Sequence, residues 1–189
     1  MKGIIVVISG PTGVGKDTII EILERQYQFK KVVSYTTREP RKGEVDGVQY
    51  HFVGLRAFLE MERRGELLDH VVVTGNHYGL PSKKVAEQFF SGKRLVFNVV
   101  VETARLIKAQ YPASTLVFIK ASDLQTLIER LLKRGMSSRQ ISERFQENPH
   151  QLVPPEDFDL VITNHDHQQG VVADMIAQYL RIQKVHSKL

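Results

Sequence analysis

The sequence predicts a doubly wound α/β domain, in which helices cover both faces of a mainly parallel sheet. Patterns typical of buried strands alternate with patterns typical of amphipathic helices along most of the chain. The first strand, the β-branched run Ile4–Ile8, has no polar break, as expected for a parallel strand covered on both faces. With 189 residues, the chain is long enough for one well-buried domain and too short for two ordinary ones.

The other core elements follow in chain order. The runs Leu95–Val101 and Thr115–Ile119 are predicted to be buried strands, and Leu160–Thr163 is predicted to be the last strand. Apolar residues recur at helical spacing in three segments: after the first strand, after the third, and near the end of the chain. The apolar faces of these helices contain Ile19, Ile22, Leu23 and Tyr27; Leu124, Leu127, Ile128, Leu131 and Leu132; and Val171, Val172, Met175, Ile176, Tyr179 and Leu180.

Two stretches interrupt this alternation. Residues 34–82 are rich in turn formers and aromatic residues, with little helical period, and residues 130–153 are polar and rich in arginine. Insertions at the ends of parallel strands are common substrate-binding segments. We therefore expect a single domain with a core of about 1–33, 83–129 and 154–189, an acceptor-binding insertion at about 34–82, and a helical lid at about 130–153.

The composition limits the chemistry that is available. The chain has no cysteine, which excludes disulfides, thiolate metal sites and cysteine nucleophiles. Hydrophobic residues make up 42% and charged residues 25%, a balance typical of globular proteins. The apolar run near the N-terminus is too short for a secretory signal or a membrane span. We therefore expect a cytoplasmic protein that does not bind membranes.

The formal net charge of +5 suits either nucleic acid or a polyphosphate substrate. The arginines favour the second partner, because they cluster at Arg38 and Arg41 and in the segment Arg130–Arg144 instead of forming a uniform stripe. No recognised nucleic-acid-binding motif accompanies them. The sequence therefore predicts small phosphorylated substrates and no nucleic-acid partner.

A phosphate-binding loop is predicted between the first strand and the first helix. The pattern G-x-x-x-x-G-K is formed there by Gly10, Pro11, Thr12, Gly13, Val14, Gly15 and Lys16. The glycines let successive backbone N–H groups point at phosphate oxygens, and the helix N-terminus adds its dipole. A lysine at the last position brings a full positive charge to the β- and γ-phosphates, so the loop predicts an ATP site.

The position after Lys16 departs from the common phosphate-loop pattern. A serine or threonine whose hydroxyl binds Mg²⁺ usually stands there, whereas this chain has Asp17, followed by Thr18. The Asp17 carboxylate can bind Mg²⁺ as a hard oxygen ligand, or it can simply favour the first turn of the helix. Both interpretations stay open at this point, and both residues are included in the predicted ATP site.

Five further segments resemble the guanylate kinase family. Val33–Val53 is similar, almost residue for residue, to the family pattern S-x-T-T-R-x-P-R-x-G-E-x-x-G-x-x-Y-x-F. Gly65–Leu68 and Gly75–Gly79 are similar to G-E-F-L-E and G-N-Y-Y-G, Arg130–Arg144 resembles the lid, and Phe158–Asn164 resembles F-D-Y-x-I-x-N. The resemblance spans nearly the whole chain. It implies a P-loop NTPase fold, ATP and Mg²⁺, GMP as the acceptor, and a monomer or homodimer.

The resemblance also implies roles for individual residues. It assigns the acceptor's 5′-phosphate to Arg38, Arg41, Tyr50 and Tyr78, and it places Ser34 near the base. Paired arginines with tyrosine hydroxyls nearby suit a phosphomonoester of about −2 charge. The residues expected to act in catalysis are Lys16, Arg38, Arg41, Arg134 and Arg144, and those added to the ATP site are Arg130 and Asn164.

The base-binding positions depart from the family pattern. Asp69 stands where the family has a glutamate that accepts hydrogen bonds from guanine, and Leu80 stands in place of a hydroxyl residue. The strand motif L-x-D-x-D is matched by Val96–Val100, so Asn98 replaces one of two lost acids. These changes leave the predicted phosphate clamp intact. They make the acceptor's base the open question, and they suggest that Asp17 compensates for the missing strand carboxylates.

Two alternatives remain at the level of sequence. Ribose 1,5-bisphosphate phosphokinase, a relative, shares G-K-D-[ST] and the strand asparagine, but it does not usually keep the R-x-P-R segment that this chain has. Guanylate-kinase-like domains also serve as peptide-binding modules, but those typically have a degraded phosphate loop. His165 and His167 are expected to be surface residues rather than metal ligands.

Overall fold

A computed structural model describes residues 2–41, 43–147 and 152–186. Its central sheet contains five parallel strands in the order β2-β7-β1-β8-β9. These strands are β1 (Ile4–Ser9), β2 (Phe29–Lys31), β7 (Arg94–Asn98), β8 (Thr115–Ala121) and β9 (Leu160–Asn164). The helices of the core are α1 (Lys16–Tyr27), α3 (Ser82–Phe90), α4 (Val101–Gln110), α5 (Leu124–Lys133) and α7 (Gln169–His186).

Helices cover both faces of this sheet, which confirms the predicted fold class. Val6 and Ile8 of β1 pack into a hydrophobic cluster with α1, α5 and α7. Ile5 and Val7, which point to the opposite face, pack into a second cluster with α3 and α4. A strand apolar at every position is thus buried on both sides, as its sequence predicted. No helix among the described residues is long and apolar enough to cross a membrane.

Several predicted elements need correction. The strand predicted at Leu95–Val101 ends at Asn98, because Val101 is already the first residue of α4. The helices α3 and α4 were not predicted. On α5, Leu124 and Leu132 remain 48% and 43% exposed, since only the Leu127 side of the helix meets the core.

The last helix, like α5, buries fewer of its predicted apolar residues than expected. Val171 and Met175 of α7 are exposed, whereas Val172 and Ile176 are buried against the sheet. The hydrophobic stripe was therefore assigned correctly as helical, but its width was overestimated.

The segment after β2 builds a second, four-stranded sheet in the order β4-β3-β6-β5. Its strands are β3 (Tyr35–Thr36), β4 (His51–Phe52), β5 (Val71–Val73) and β6 (Asn76–Gly79). The helix α2 (Leu55–Arg63) lies between β4 and β5, although little helical period was expected here. Phe58 of α2 is fully buried, so one aromatic side chain anchors a mostly exposed helix to this sheet.

The arginine-rich segment forms the end of α5, a turn and a further helix, α6 (Ser138–Glu147). Gly135, with φ of 85°, makes the turn between them. Residues 148–151 of the predicted lid, with Met1, Lys42 and the last three residues of the predicted core, lie outside the described residues.

Candidate active site

A cavity lies where the carboxyl ends of the parallel strands face the second sheet and the α6 segment. From the core it is lined by Ser9, Gly10, Thr12, Gly13, Gly15, Lys16, Asp17, Thr18, Lys31, Asn98, Val99, Val100 and Thr103. From the inserted segments it is lined by Ser34, Arg38, Arg41, Glu44, Gln49, Tyr50, Asp69, Val71, Val73, Tyr78, Gly79, Leu80, Arg134 and Arg144. Three parts of the chain that are distant in sequence therefore line the same cavity.

The phosphate loop depends on glycine at positions where a side chain would collide with the backbone or with a neighbour. Gly10 has φ of 135°, and a Cβ there would lie 2.1 Å from the Ile119 carbonyl oxygen. Gly15 has φ of 98°, and a Cβ there would lie 2.8 Å from Asn164 Nδ2. Both φ values lie in the region that L side chains rarely adopt. The loop can therefore keep its N–H groups close to a phosphate only with glycine at these two positions.

Lys16 reaches back over the loop from the first residue of α1. Its Nζ donates hydrogen bonds to the carbonyl oxygens of Gly10 (2.6 Å) and Pro11 (2.9 Å). Burial lowers the pKa of Lys16 to about 8, an effect that Arg144 and Arg134 reinforce and the Asp17 carboxylate opposes. A bound anion would stabilise the protonated form of Lys16, which burial disfavours.

Asp17 lies beside the end of β7. Asn98 Nδ2 donates a hydrogen bond of 2.8 Å to Asp17 Oδ1. No described residue donates to the other oxygen, Oδ2, and Asp17 lines the cavity. Mg²⁺ is commonly held by one or two carboxylates together with substrate phosphates, so a single free carboxylate oxygen beside the phosphate loop fits this ion. The described residues contain no group of three acidic or histidine side chains that could hold a metal without a substrate.

Asn164 and Arg130, both predicted for the ATP site, contact the phosphate loop without lining the cavity. The fully buried Asn164 donates from Nδ2 to the Val14 carbonyl oxygen at 2.7 Å. Arg130 donates to the Gly13 and Val14 carbonyl oxygens at 3.4 and 3.5 Å, and it pairs with Asp166. These residues hold the loop from outside the cavity, and their predicted contact with ATP stays a prediction.

The predicted acceptor clamp is centred on Arg38. Its Nη2 donates to both carboxylate oxygens of Glu44 at 2.9 Å, and the backbone N–H of Arg41 donates to the same carboxylate at 2.8 Å. The Arg38 guanidinium carbon also lies 5.5 Å from the centre of the Tyr50 ring, which packs edge-on against Tyr78. Burial by itself would lower the pKa of Arg38, but the bond to Glu44 raises it above its usual value.

Tyr50 of this clamp stays protonated near neutral pH. Burial raises the pKa of Tyr50 to about 12, and the neighbouring Tyr78 and Asp17 act in the same direction. Tyr50 therefore has a hydroxyl proton to donate to an anionic ligand. The clamp thus combines a fixed guanidinium with a phenolic donor.

The far end of the cavity contains a buried carboxylate. Asp69 Oδ1 accepts a hydrogen bond from the Leu80 backbone N–H at 2.8 Å, and Oδ2 accepts one from the Thr103 hydroxyl at 2.6 Å. Burial raises the pKa of Asp69, while the Thr103 hydrogen bond opposes that rise. The Leu80 side chain is 1% exposed and belongs to the core, so this residue contributes its backbone N–H to the site. Ser34 also lines the cavity.

Arg134 and Arg144 bring positive charge from the α5–α6 segment to the opening between the phosphate loop and the clamp. Arg144 makes no hydrogen bond or ion pair with any residue that the structure describes. Burial lowers the pKa of Arg144, and Arg41 and Arg38 add to this effect through their charges. Unpaired cations held together in one cavity require an anionic ligand to balance them.

Sequence reasoning missed several polar residues that line the cavity, among them Lys31, Gln49 and Thr103. Thr103 lies on α4, a helix that was not predicted, and its hydroxyl bonds to Asp69, 34 residues earlier in the chain. A single threonine in a helix carries no pattern that could have identified it. Glu44 was present in the quoted motif, but its role as the partner of Arg38 comes from the structure.

A phosphate loop that faces an arginine clamp across one cavity, under a segment with two further arginines, defines a P-loop phosphotransferase that acts on two phosphorylated substrates. A family model described as guanylate kinase matches residues 2–179. The chain belongs to the guanylate kinase family.

Relatives and solved structures agree with this assignment. The chain is 36% identical to guanylate kinase of Carboxydothermus hydrogenoformans over 193 aligned positions, covering 100% of this chain and 95% of that protein. It is 35% identical to guanylate kinase of Trichormus variabilis, covering 94% and 90%. The crystal structure of guanylate kinase from Anaplasma phagocytophilum matches with a TM-score of 0.71 at 29% identity, covering 96% of this chain and 86% of that one.

Proposed function

We propose that this protein transfers the γ-phosphoryl group of ATP to GMP, producing ADP and GDP. One observation carries the proposal. The phosphate loop with Lys16 and the clamp with Arg38 line the same cavity, and Asp69 lies at its acceptor end. Two separate cationic sites in one cavity suit a polyphosphate donor and a phosphomonoester acceptor. A buried carboxylate suits a base with adjacent N–H donors, such as guanine.

The reaction requires alignment and charge neutralisation more than covalent chemistry. An oxygen of the GMP phosphate attacks the γ-phosphorus of ATP, the bond to the β–γ bridging oxygen breaks, and ADP leaves. Lys16 and the loop N–H groups hold the donor, while Arg38, Arg41, Tyr50 and Tyr78 orient the attacking phosphate. Mg²⁺ held by Asp17 and the phosphates would neutralise charge on the donor.

Arg134 and Arg144 would stabilise charge on the group in transfer. They extend from the segment at about 130–153, for which we propose the role of a lid, and the segment at about 34–82 would bind the acceptor. Excluding water from the cavity would favour transfer to GMP over hydrolysis of ATP. With ATP and GMP as its small-molecule substrates, such an enzyme would act in the cytoplasm.

A second candidate acceptor is ribose 1,5-bisphosphate. The observation that favours it is the Asp17–Asn98 pair, because both residues occur at the corresponding positions of the relative that uses this sugar. The complete Arg38–Arg41 clamp and the Asp69 carboxylate favour GMP.

A coupled assay of ADP production with GMP, dGMP, AMP, UMP and ribose 1,5-bisphosphate tests the proposal. We expect the highest kcat/KM with GMP. Turnover of the sugar bisphosphate alone would overturn the proposed acceptor. A folded protein with no turnover on any of these acceptors would overturn the proposed reaction.

A further inference from the structure

We propose that Thr103 is a positioning residue for the acceptor base: its hydroxyl fixes the Asp69 carboxylate so that this side chain can select guanine. The inference rests on the proposed function, because guanine is the ligand that Asp69 would contact. It adds a residue that neither the motifs nor the comparisons point to.

The geometry connects Thr103, which lies at the wall of the cavity, to Asp69. Its side chain is 1% exposed, and its hydroxyl donates to Asp69 Oδ2 at 2.6 Å. The other oxygen, Oδ1, accepts from the Leu80 backbone N–H at 2.8 Å. Among the described residues, Leu80 and Thr103 therefore donate to different oxygens of the carboxylate. Because each oxygen can accept more than one hydrogen bond, both can still receive a donor from a ligand in the cavity.

The position of the Asp69 carboxylate depends on its neighbours. Asp69 has one methylene fewer than a glutamate, so it cannot extend as far toward a base. Hydrogen bonds from two different elements, α4 and the residue after β6, fix both oxygens at once. A carboxylate held in this way presents two parallel acceptors. The N1–H and 2-amino groups of guanine are two parallel donors, whereas hypoxanthine offers only the first.

The same hydrogen bond favours the ionised form of Asp69. Burial raises the pKa of this carboxyl group, and the Thr103 and Leu80 hydrogen bonds oppose the rise. The charge of His70 also lowers the pKa of Asp69. Loss of the Thr103 hydroxyl therefore moves the Asp69 pKa upward, while the contribution of His70 is unchanged.

The test compares Thr103→Val, which removes the hydroxyl at similar volume, with Thr103→Ser, which keeps it. For Thr103→Val we expect KM for GMP to rise about tenfold and KM for ATP to change less than about twofold, because one hydrogen bond to a charged group is lost. The ratio of kcat/KM for GMP to that for IMP should fall. The acid limb of the pH profile of kcat/KM for GMP should move to higher pH. Thr103→Ser should retain the wild-type values.

The matched control is Thr115→Val, a buried threonine of β8 that lies outside the cavity. If its effects on GMP and IMP equal those of Thr103→Val, the role of Thr103 is one of packing and the inference is wrong. If Thr103→Val does not fold by circular dichroism, Thr103→Ala and Thr103→Ser form the test pair. Equal GMP/IMP ratios and equal acid limbs in that pair would again refute the inference.

Measurements on the wild-type protein distinguish failure of the proposed function from failure of the inference about Thr103. Absence of GMP turnover by the wild type overturns the proposed function, and the inference about Thr103 is then refuted with it. GMP turnover by the wild type together with an unchanged Thr103→Val enzyme overturns the inference alone. A selective loss of GMP recognition that serine restores supports both.

Discussion

The Asn98 side-chain amide donates a hydrogen bond of 2.8 Å to Asp17 Oδ1 and so joins the end of β7 to the first turn of α1. An amide donor orients a carboxylate without neutralising it. The Asp17 carboxylate raises the pKa of Lys16 through its charge and lies where the phosphates of the donor would bind. Such a charge is tolerable next to a polyphosphate when a divalent cation lies between them.

Asp17→Ala tests this consequence, because it removes the oxygen ligand, whereas serine would supply the hydroxyl that usually binds Mg²⁺ at this position. We expect the apparent affinity for Mg²⁺ to fall about tenfold or more, because an oriented carboxylate oxygen is lost. The measurement is calorimetric titration of Mg²⁺ into the protein with ADP, alongside the Mg²⁺ dependence of turnover. Glu21→Gln, an exposed charge change on the same helix, is the control. An unchanged Mg²⁺ dependence for Asp17→Ala would leave the carboxylate only a role at the helix N-terminus.

The low pKa of Lys16 predicts pH-dependent binding of the donor. Burial lowers this pKa to about 8 in the free protein, and a bound polyphosphate raises it, so binding above pH 8 must take up a proton. The affinity for Mg·ADP should therefore fall about tenfold between pH 7 and pH 9, as measured by calorimetry. Lys16→Met should bind weakly at every pH and lose the slope. Lys120→Met, an exposed lysine of β8, should retain it.

The geometry at Arg38 predicts that a lysine cannot replace it. Two guanidinium nitrogens of Arg38 bond to different partners, Nη2 to the Glu44 carboxylate and Nη1 to the Glu39 carbonyl oxygen at 2.7 Å, and the single nitrogen of an ammonium group cannot reproduce this arrangement. For Arg38→Lys we expect KM for GMP to rise about tenfold or more, with KM for ATP nearly unchanged. Steady-state kinetics with each substrate varied in turn provide the measurement. Arg63→Lys, an exposed arginine of α2, is the control, and an equal effect there would contradict the clamp.

We predict that substitution of Arg144 has opposite effects on catalytic activity and on thermal stability. It lies near Arg41 and Arg38, and no described carboxylate pairs with it, so it destabilises the protein without ligand but can stabilise the transferring group. Arg144→Met should lower kcat about a hundredfold or more and raise the unfolding midpoint of the free protein.

Thermal melts with and without ADP and GMP, combined with kinetics, check both effects of Arg144→Met. The control is Arg139→Met on the same helix, an exposed arginine that pairs with Glu143. A lower melting temperature for Arg144→Met in the absence of ligand would show that the arginine is a structural residue.

Much of the site could be predicted because the relevant residues follow one another along the chain. The phosphate loop needs glycines and a lysine at set spacing between a strand and a helix, and all of these appear within residues 10–16. Helix α2 was missed for the opposite reason. Only Phe58 on it is fully buried, so its sequence shows a short apolar stripe on a largely exposed helix.

Hydrogen bonds between site residues that are distant in sequence could not be predicted in this way. Asn164 reaches the Val14 carbonyl across 150 positions, and Asn98 reaches Asp17 across 81. Neither asparagine belongs to a local pattern that points to its partner. Such pairs form because parallel strands bring their carboxyl ends to one edge of the sheet.

The sequence by itself determined the class of fold and the phosphate loop, because periodicity and spacing act over short distances. The residues of the acceptor clamp were predicted from the resemblance to the guanylate kinase family. Only the tertiary structure decided the hydrogen bonds of the Asp69 carboxylate and the burial of Leu80. In the folded chain Leu80 packs into the core with residues of α4, its backbone N–H donates to Asp69, and α4 adds the Thr103 hydroxyl. A buried carboxylate is selective only when its hydrogen bonds fix it, and those donors come from elements that meet only in the folded chain.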